Sequence, residues 1–165
     1  MKTLTILFMS LLLFSGCTTS VVKDLRSYLG YDEETLLSLK KGVISFDGET
    51  KATIQAIYLN NIDDKYENSE NFFVAVYIAD DYDSSKKYGL RNPNYSLKLN
   101  GSGIVKIVEL DESSMLRKKM PLKSRWSHYY HVVFKQEIHN DLMLSYSHKD
   151  LAKTLLTYQK EPQQK

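Results

Sequence analysis

One uninterrupted apolar run, residues 72–79 (FFVAVYIA), constrains the fold of this 165-residue chain more than any other stretch beyond its N-terminus. Its residues are mainly aromatic or β-branched, and eight residues is a typical strand length. An apolar run without alternation needs cover on both faces, because successive side chains of a strand point to opposite sides of the sheet. The sequence therefore predicts a strand at the centre of the core, buried on both faces.

Other segments, in which apolar residues alternate with polar ones, surround this run. They predict strands at residues 43–46, 52–59, 97–99, 104–110, 129–135 and 142–146. Asn100-Gly101 lies between two of them and indicates a hairpin, because both residues tolerate a positive φ. Residues 151–158 fit a helix by the spacing of their leucines and a strand by their Thr and Tyr content. The polar residues 60–71 and 80–94 are interpreted as surface loops.

Seven or eight short strands separated by turns indicate an all-β fold. For residues 42–160 we expect an antiparallel β-sandwich, immunoglobulin-like or transthyretin-like, with a small closed barrel as the alternative. A tether at residues 17–41 with short helical segments precedes it. One of these helices is expected to start at Asp32-Glu33-Glu34 and to end at Lys40-Lys41, before Gly42. Residues 161–165 are interpreted as a polar tail.

The N-terminus carries a secretory pattern. Lys2 precedes residues 4–14 (LTILFMSLLLF), which hold no charge and are too short for a spanning helix of about 20 residues. Residues 13–17 (LFSGC) follow and resemble the lipobox of bacterial lipoproteins, with Phe14 where that family usually has leucine. The resemblance implies that residues 1–16 are a signal peptide and that Cys17 is the lipid-attachment residue. The alternative is an ordinary cleaved signal, but the only cysteine of the chain then has no intramolecular disulfide partner.

A lipid on Cys17 implies a location in the cell envelope. Each buried methylene contributes about 0.8 kcal/mol, so two or three acyl chains anchor a protein stably. In the sorting pathway of this family, an aspartate after the cysteine tends to mean retention at the inner membrane. Thr18 stands there instead, which favours the outer membrane, facing the periplasm or the cell surface.

The strand pattern behind a lipobox resembles small lipoproteins with immunoglobulin-like or transthyretin-like sandwiches. One group of these, exemplified by the type VI secretion lipoprotein, provides assembly subunits of secretion machines. The resemblance implies a partner that is another envelope protein, in addition to the membrane held through the lipid. No nucleic-acid partner is expected, because the 22 basic and 20 acidic residues nearly balance.

One basic stretch contains the only tryptophan and is the candidate interaction surface. Its residues are Arg117, Lys118, Lys119, Lys123, Arg125 and Trp126. Beside a lipid anchor such a stretch suits anionic headgroups or an acidic polymer. It also suits a protein partner, because Trp and Arg are enriched at the energetic centres of interfaces. The alternative is a solvated loop with Trp126 folded back onto the core.

The chain contains residue types that can catalyse reactions or bind metals, but their spacing matches no motif for either. The four histidines are His128, His131, His139 and His148, and the first two would point to opposite faces of a strand. A calcium loop of the EF-hand type starting at Asp81 would need Gly and Glu where Lys86 and Asn92 stand. We therefore expect no metal, no cofactor and no catalytic residue, with a calcium loop of another type at residues 80–83 as the alternative.

These patterns favour a non-enzymatic, membrane-tethered interaction module. It would hold its partner with loops such as residues 60–71 or 116–126. The alternative is a lipoprotein that binds a small ligand or a glycan in a cleft lined by tyrosines. An envelope hydrolase would need a catalytic cluster assembled from distant residues.

The variant Cys17→Ser tests the anchor. Lipid attachment and the cut before residue 17 both depend on the thiol in the family that the lipobox resembles. The variant should therefore carry neither lipid nor that cut, as mass spectrometry of its N-terminal peptide would show. A variant that is still cut before residue 17 and still fractionates with membranes would contradict the lipoprotein interpretation.

Overall fold

Two antiparallel sheets make up most of this computed structural model, which describes residues 33–79, 88–121 and 124–161. The five-stranded sheet has the order β1-β2-β3-β7-β6, with β1 (Lys40–Phe46), β2 (Glu49–Tyr58), β3 (Glu70–Ile78), β6 (Lys106–Glu109) and β7 (His128–Phe134). The four-stranded sheet has the order β5-β4-β8-β9, with β4 (Tyr95–Leu99), β5 (Ser102–Gly103), β8 (Asp141–His148) and β9 (Lys153–Gln159). Within these described residues the helices are α1 (Glu33–Leu37) and α2 (Met115–Lys119), and 3₁₀ turns lie at Leu59–Asn61, Asp64–Tyr66 and Gly89–Arg91.

The predicted all-β antiparallel sandwich is confirmed. Alternate residues of both sheets face each other and form one apolar core. From the five-stranded sheet it takes Ile44, Ala52, Ile54, Ala56, Tyr58, Phe72, Val74, Val76, Ile78, Tyr130, Val132 and Phe134; from the four-stranded sheet, Leu97, Leu99, Leu142, Leu144, Tyr146, Leu156 and Tyr158. Burial of each large apolar side chain contributes about 1.5–3 kcal/mol, so this layer accounts for most of the stability.

β3 lies at the centre of the five-stranded sheet and is buried on both faces, as its sequence predicts. Phe73 and Ala75 point away from the sandwich core and belong to a second apolar cluster. The other buried members of this cluster are Ile57, Leu59, Met120 and Tyr129, and Leu39, Ile62, Tyr66, Leu110 and Leu116 pack against it. The 3₁₀ turns after β2 and the segment around α2 therefore cover part of the outer face of the sheet.

The predicted Asn100-Gly101 hairpin is present, with φ values of 46° and 85°. Its second arm, β5, is only two residues long, and residues 104–110 then cross to the other sheet to form β6. The Asn100 side chain holds the turn against β8, since its Oδ1 accepts a hydrogen bond from the Met143 N–H at 2.8 Å. The turn signal thus predicted the hairpin but not the change of sheet.

The predicted C-terminal end of the helix that starts near Glu33 is wrong. α1 ends at Leu37, and Lys40, Lys41 and Gly42 belong to β1. A Cβ atom on Gly42 would lie 2.6 Å from the Thr154 side chain of β9. Gly42 is therefore required for the close approach of β1 to β9, and it does not stop a helix.

The ambiguous residues 151–158 form a strand for most of their length, β9. Leu156 and Tyr158 point into the core, and the Tyr158 hydroxyl donates a hydrogen bond to the Ala56 carbonyl of β2 at 2.7 Å. This bond joins the two sheets, so tertiary contacts favour the strand over the helix.

Residues 60–69 lie in exposed or half-buried turns, as predicted, but the last two residues of this polar stretch begin β3 and are buried. Glu70 is the first residue of β3 and only 1% exposed. Its carboxylate accepts hydrogen bonds from the Tyr58 hydroxyl and from the Glu137 N–H and lies 2.6 Å from the Lys160 ammonium. Burial, together with this carboxylate, raises the pKa of Tyr58, which keeps the phenol a donor. The network links β3 to the residue that follows β9.

The variant Glu70→Ala should lower the free energy of unfolding by about 3–5 kcal/mol, because it removes the acceptor of the Tyr58 hydroxyl and the negative charge that pairs with Lys160, whose ammonium keeps its hydrogen bond to the Glu137 carbonyl. Urea denaturation measures the change. Lys149→Ala is the control, since it removes an exposed pair with Asp150 at 3.8 Å and should cost at most about 1 kcal/mol. Equal losses in the two variants would contradict a stabilising role for the buried network.

Candidate functional site

A cleft of about 690 Å³ lies on the part of the five-stranded sheet that the second apolar cluster leaves open. Its floor includes Thr53 and Gln55 of β2 and Tyr77 of β3, and one wall is the loop of residues 124–127 that leads to His128. Its volume lies within the range of small-molecule sites, about 300–1,000 Å³. We call it the Trp126 cleft.

The local sequence explains why the cover stops here. Along β2, the outward-facing positions change from apolar Ile57, which is buried in the second cluster, to the half-buried Gln55 and Thr53. Along β3 they change from Phe73 and Ala75 to Tyr77. Polar groups are costly to bury without hydrogen bonds, so the apolar cover ends where the outward residues become polar.

Trp126 forms part of the wall of the cleft and is 60% exposed. The alternative in which it folds back onto the core is therefore wrong. The Arg125 guanidinium carbon lies 4.5 Å from the centroid of the indole, a cation–π contact that occupies one face of the ring. The backbone N–H of Trp126 also donates to the Ser124 hydroxyl at 3.2 Å, which fixes the backbone of the loop.

Tyr129 anchors this loop to the sheet. Its hydroxyl accepts a hydrogen bond from the Ser124 N–H and donates one to the Ser124 carbonyl at 3.0 Å. Its buried ring packs on Phe73, with ring centroids 5.9 Å apart. No sequence pattern indicates this role, because Tyr129 fits the strand pattern as an ordinary inward or outward position.

The predicted basic surface divides at Ser124. Arg125 and Trp126 line the cleft, whereas Arg117 and Lys118 line a separate depression of about 280 Å³ with Glu112.

Arg117 is used within the fold. Its guanidinium lies 4.5 Å from the centroid of the Tyr129 ring and donates to the Leu110 carbonyl at 3.3 Å. Lys119 is exposed at the end of α2, and Lys123 lies outside the described residues.

The floor of the cleft was missed by sequence reasoning. Thr53 and Tyr77 are directly opposite each other in the β2–β3 ladder, and Gln55 lies two residues further along β2 on the same face. Their hydroxyl and amide groups make no hydrogen bond within the described part of the chain. The signal for the floor in the sequence was that the outward-facing positions of β2 become polar. Alternation of polar and apolar residues alone does not distinguish the floor of a cleft from a solvated sheet face.

His128 lines the cleft and pairs with a carboxylate. Its Nδ1 lies 3.6 Å from Glu109 Oε1, and its ring stacks on Tyr88 with centroids 4.5 Å apart. A hydrolase would need a nucleophile hydrogen-bonded to such a base. Among the residues that the structure describes, no Ser, Thr or Cys side chain hydrogen-bonds His128.

The other histidines lie in separate surroundings, and His139 is exposed in the turn between β7 and β8. His131 Nε2 lies 3.0 Å from Asn71 Oδ1, and burial, with Lys106 and Lys65 nearby, lowers its pKa. His148 Nδ1 accepts a hydrogen bond from the Asp150 N–H.

Across residues 33–79, 88–121 and 124–161, no group of three His, Cys, Asp or Glu side chains is placed to hold a metal ion. Cys17 and the acidic segment after Ala79, with Asp81, lie outside the described residues.

Comparison with known proteins gives no relative to reason from: no family model, no curated protein and no solved structure matches the chain. Within the described residues, no helix is both long enough and apolar enough to cross a bilayer. We therefore infer the function from the chemistry of the site itself.

The variant Tyr129→Phe should release the Trp126 loop, because it removes both hydrogen bonds to Ser124. We expect a stability loss of about 1–2 kcal/mol and a lower fluorescence anisotropy of Trp126, the only tryptophan. Tyr158→Phe is the matched control, since it removes a buried phenol hydrogen bond far from the loop along the chain. It should lose comparable stability and leave the anisotropy unchanged; an equal fall in both variants would refute the anchoring role.

Proposed function

We propose that this protein is a non-enzymatic binding module of the bacterial envelope, anchored by lipid on Cys17. The outer membrane is the favoured location, because Thr18 follows the cysteine. The module presents the Trp126 cleft and its wall to another envelope protein. The observation that carries the proposal is the exposed Trp126 stacked on Arg125, on a loop that Tyr129 holds in place.

The chemistry of this wall suits a protein interface. Trp and Arg are the residue types most often found at the energetic centres of interfaces, where each fills a pocket of the partner. A loop already fixed by hydrogen bonds loses less conformational entropy on binding than a free one. Lys118 and Lys119 lie exposed on the neighbouring helix α2 and supply positive charge at the rim, which favours encounter with an acidic partner surface.

A lipid tether strengthens the association of such a module with its partner without adding any contact. Confinement to a membrane surface raises the effective concentration of the module near other membrane proteins. A weak contact through one loop then suffices for stable association in the membrane.

A second candidate function is the binding of a small ligand or glycan. The observation in its favour is the concavity itself, with Tyr77 and Trp126 among its lining residues and with polar groups on its floor that lack partners within the described chain.

The variant Trp126→Ala should weaken association with the envelope partner by at least 2 kcal/mol, about 30-fold. The partner is first identified by a site-specific photocrosslink: a benzophenone amino acid, itself a large aromatic side chain, replaces Trp126 in the lipidated protein, and crosslinked species are recovered from intact membranes. The dissociation constants of the unaltered protein and of Trp126→Ala for that partner then measure the change. Leu155 provides the control position, because it is 45% exposed on β9 of the other sheet. A discrete adduct from position 126, absent from position 155, is the expected result. Identical patterns at both positions, or no adduct at position 126, would reject a protein-binding role for this surface.

A further inference from the structure

The floor of the Trp126 cleft presents three polar side chains with unused hydrogen-bonding capacity. Thr53 and Tyr77 form a cross-strand pair, so their Cβ atoms are about 5 Å apart, and Gln55 is the next residue of β2 on the same face. Hydroxyl and amide groups both donate and accept hydrogen bonds. They match a ligand whose own groups do both, which is the character of a sugar hydroxyl.

The wall of the cleft supplies a flat aromatic surface. Arg125 covers one face of the indole. Because Trp126 is 60% exposed, the rest of the ring is accessible to a ligand. The face of an aromatic ring is electron-rich and attracts the weakly positive C–H groups of a ligand. A pyranose ring offers both features at once, with C–H groups on a face and hydroxyls around its edge.

Other ligand classes fit the lining less well. A hydrocarbon would cover the hydroxyls of Thr53 and Tyr77 and the amide of Gln55 without giving them partners. An extended peptide needs an unpaired strand edge to add to, and β2 and β3 are both internal strands of the sheet. A single-stranded nucleic acid needs several cations along its phosphates, and among the described lining residues Arg125 is the one Lys or Arg.

We infer that the Trp126 cleft binds a saccharide. One sugar ring stacks on the accessible face of the Trp126 indole, and Thr53, Gln55 and Tyr77 hydrogen-bond its hydroxyls. This inference rests on the second candidate function of the cleft, the binding of a small ligand or glycan, and specifies the chemistry of that ligand. The cleft volume of about 690 Å³ accommodates more than one ring, so a short oligosaccharide is the natural probe.

The experiment uses the intrinsic fluorescence of Trp126, because the only tryptophan of the chain lies in the site. The full-length protein, in a detergent without a sugar headgroup, is titrated with chitotriose, maltotriose, cellotriose and trigalacturonate. We expect a saturable change in emission with at least one of the four. Tighter and salt-sensitive binding of trigalacturonate would identify an acidic saccharide held by Arg125, and binding of a neutral trisaccharide would identify a neutral one.

Variants of the floor test the assigned contacts. Gln55→Ala and Tyr77→Phe each remove hydrogen-bonding groups and should weaken binding about tenfold. Thr50→Ala is the matched control, since Thr50 is exposed on the same strand and does not line the cleft. It should bind like the unaltered protein.

Two results would overturn the inference. One is no change in Trp126 emission with any probe up to about 10 mM. The other is the same affinity in all three variants. If the crosslink from position 126 to a protein persists in either case, the proposed binding module stands and the saccharide assignment falls. If that crosslink is also absent, both proposals fall.

Discussion

The burial of β3 on both faces is the constraint on which the rest of the structure depends. Its inner side chains need the four-stranded sheet, and Phe73 and Ala75 on its outer face need a second cover. The chain supplies that cover from the turns after β2 and the segment around α2. Because Tyr77 is polar at its tip, the cover ends before it, and the uncovered part of the sheet becomes the floor of the Trp126 cleft.

Tyr129 connects this packing to the site. Its ring belongs to the apolar cover, and its hydroxyl holds Ser124 at the start of the loop that carries Trp126. Arg117 contacts the same ring and donates a hydrogen bond to the Leu110 carbonyl, so its guanidinium is used within the fold. The basic stretch is thus continuous in sequence but divided in function, with Arg117 stabilising the cover and Arg125 supporting the exposed indole.

The Glu70 network shows why polar composition is an uncertain guide to exposure. Glu70 ends a stretch that is polar enough to be interpreted as a loop, yet its partner Lys160 is ninety residues further along the chain. A carboxylate can be buried only where such partners meet it. The sequence of residues 60–71 does not indicate that Lys160 meets Glu70. The surface-loop interpretation failed at Glu70 because the contact that buries it is long-range.

The sequence by itself determined the features that depend on neighbouring residues. Alternation and the apolar run at residues 72–79 predicted the strands and the all-β class, and Asn100-Gly101 predicted the hairpin. Only the tertiary structure decided that Lys40 begins β1, that residues 104–110 change sheet, and that Trp126 is exposed above a polar floor. The physical reason is that the period of a strand is set by its own backbone. Which segments pack on each face of the sheet, and therefore where the cleft lies, depends on contacts between segments that are distant in the chain.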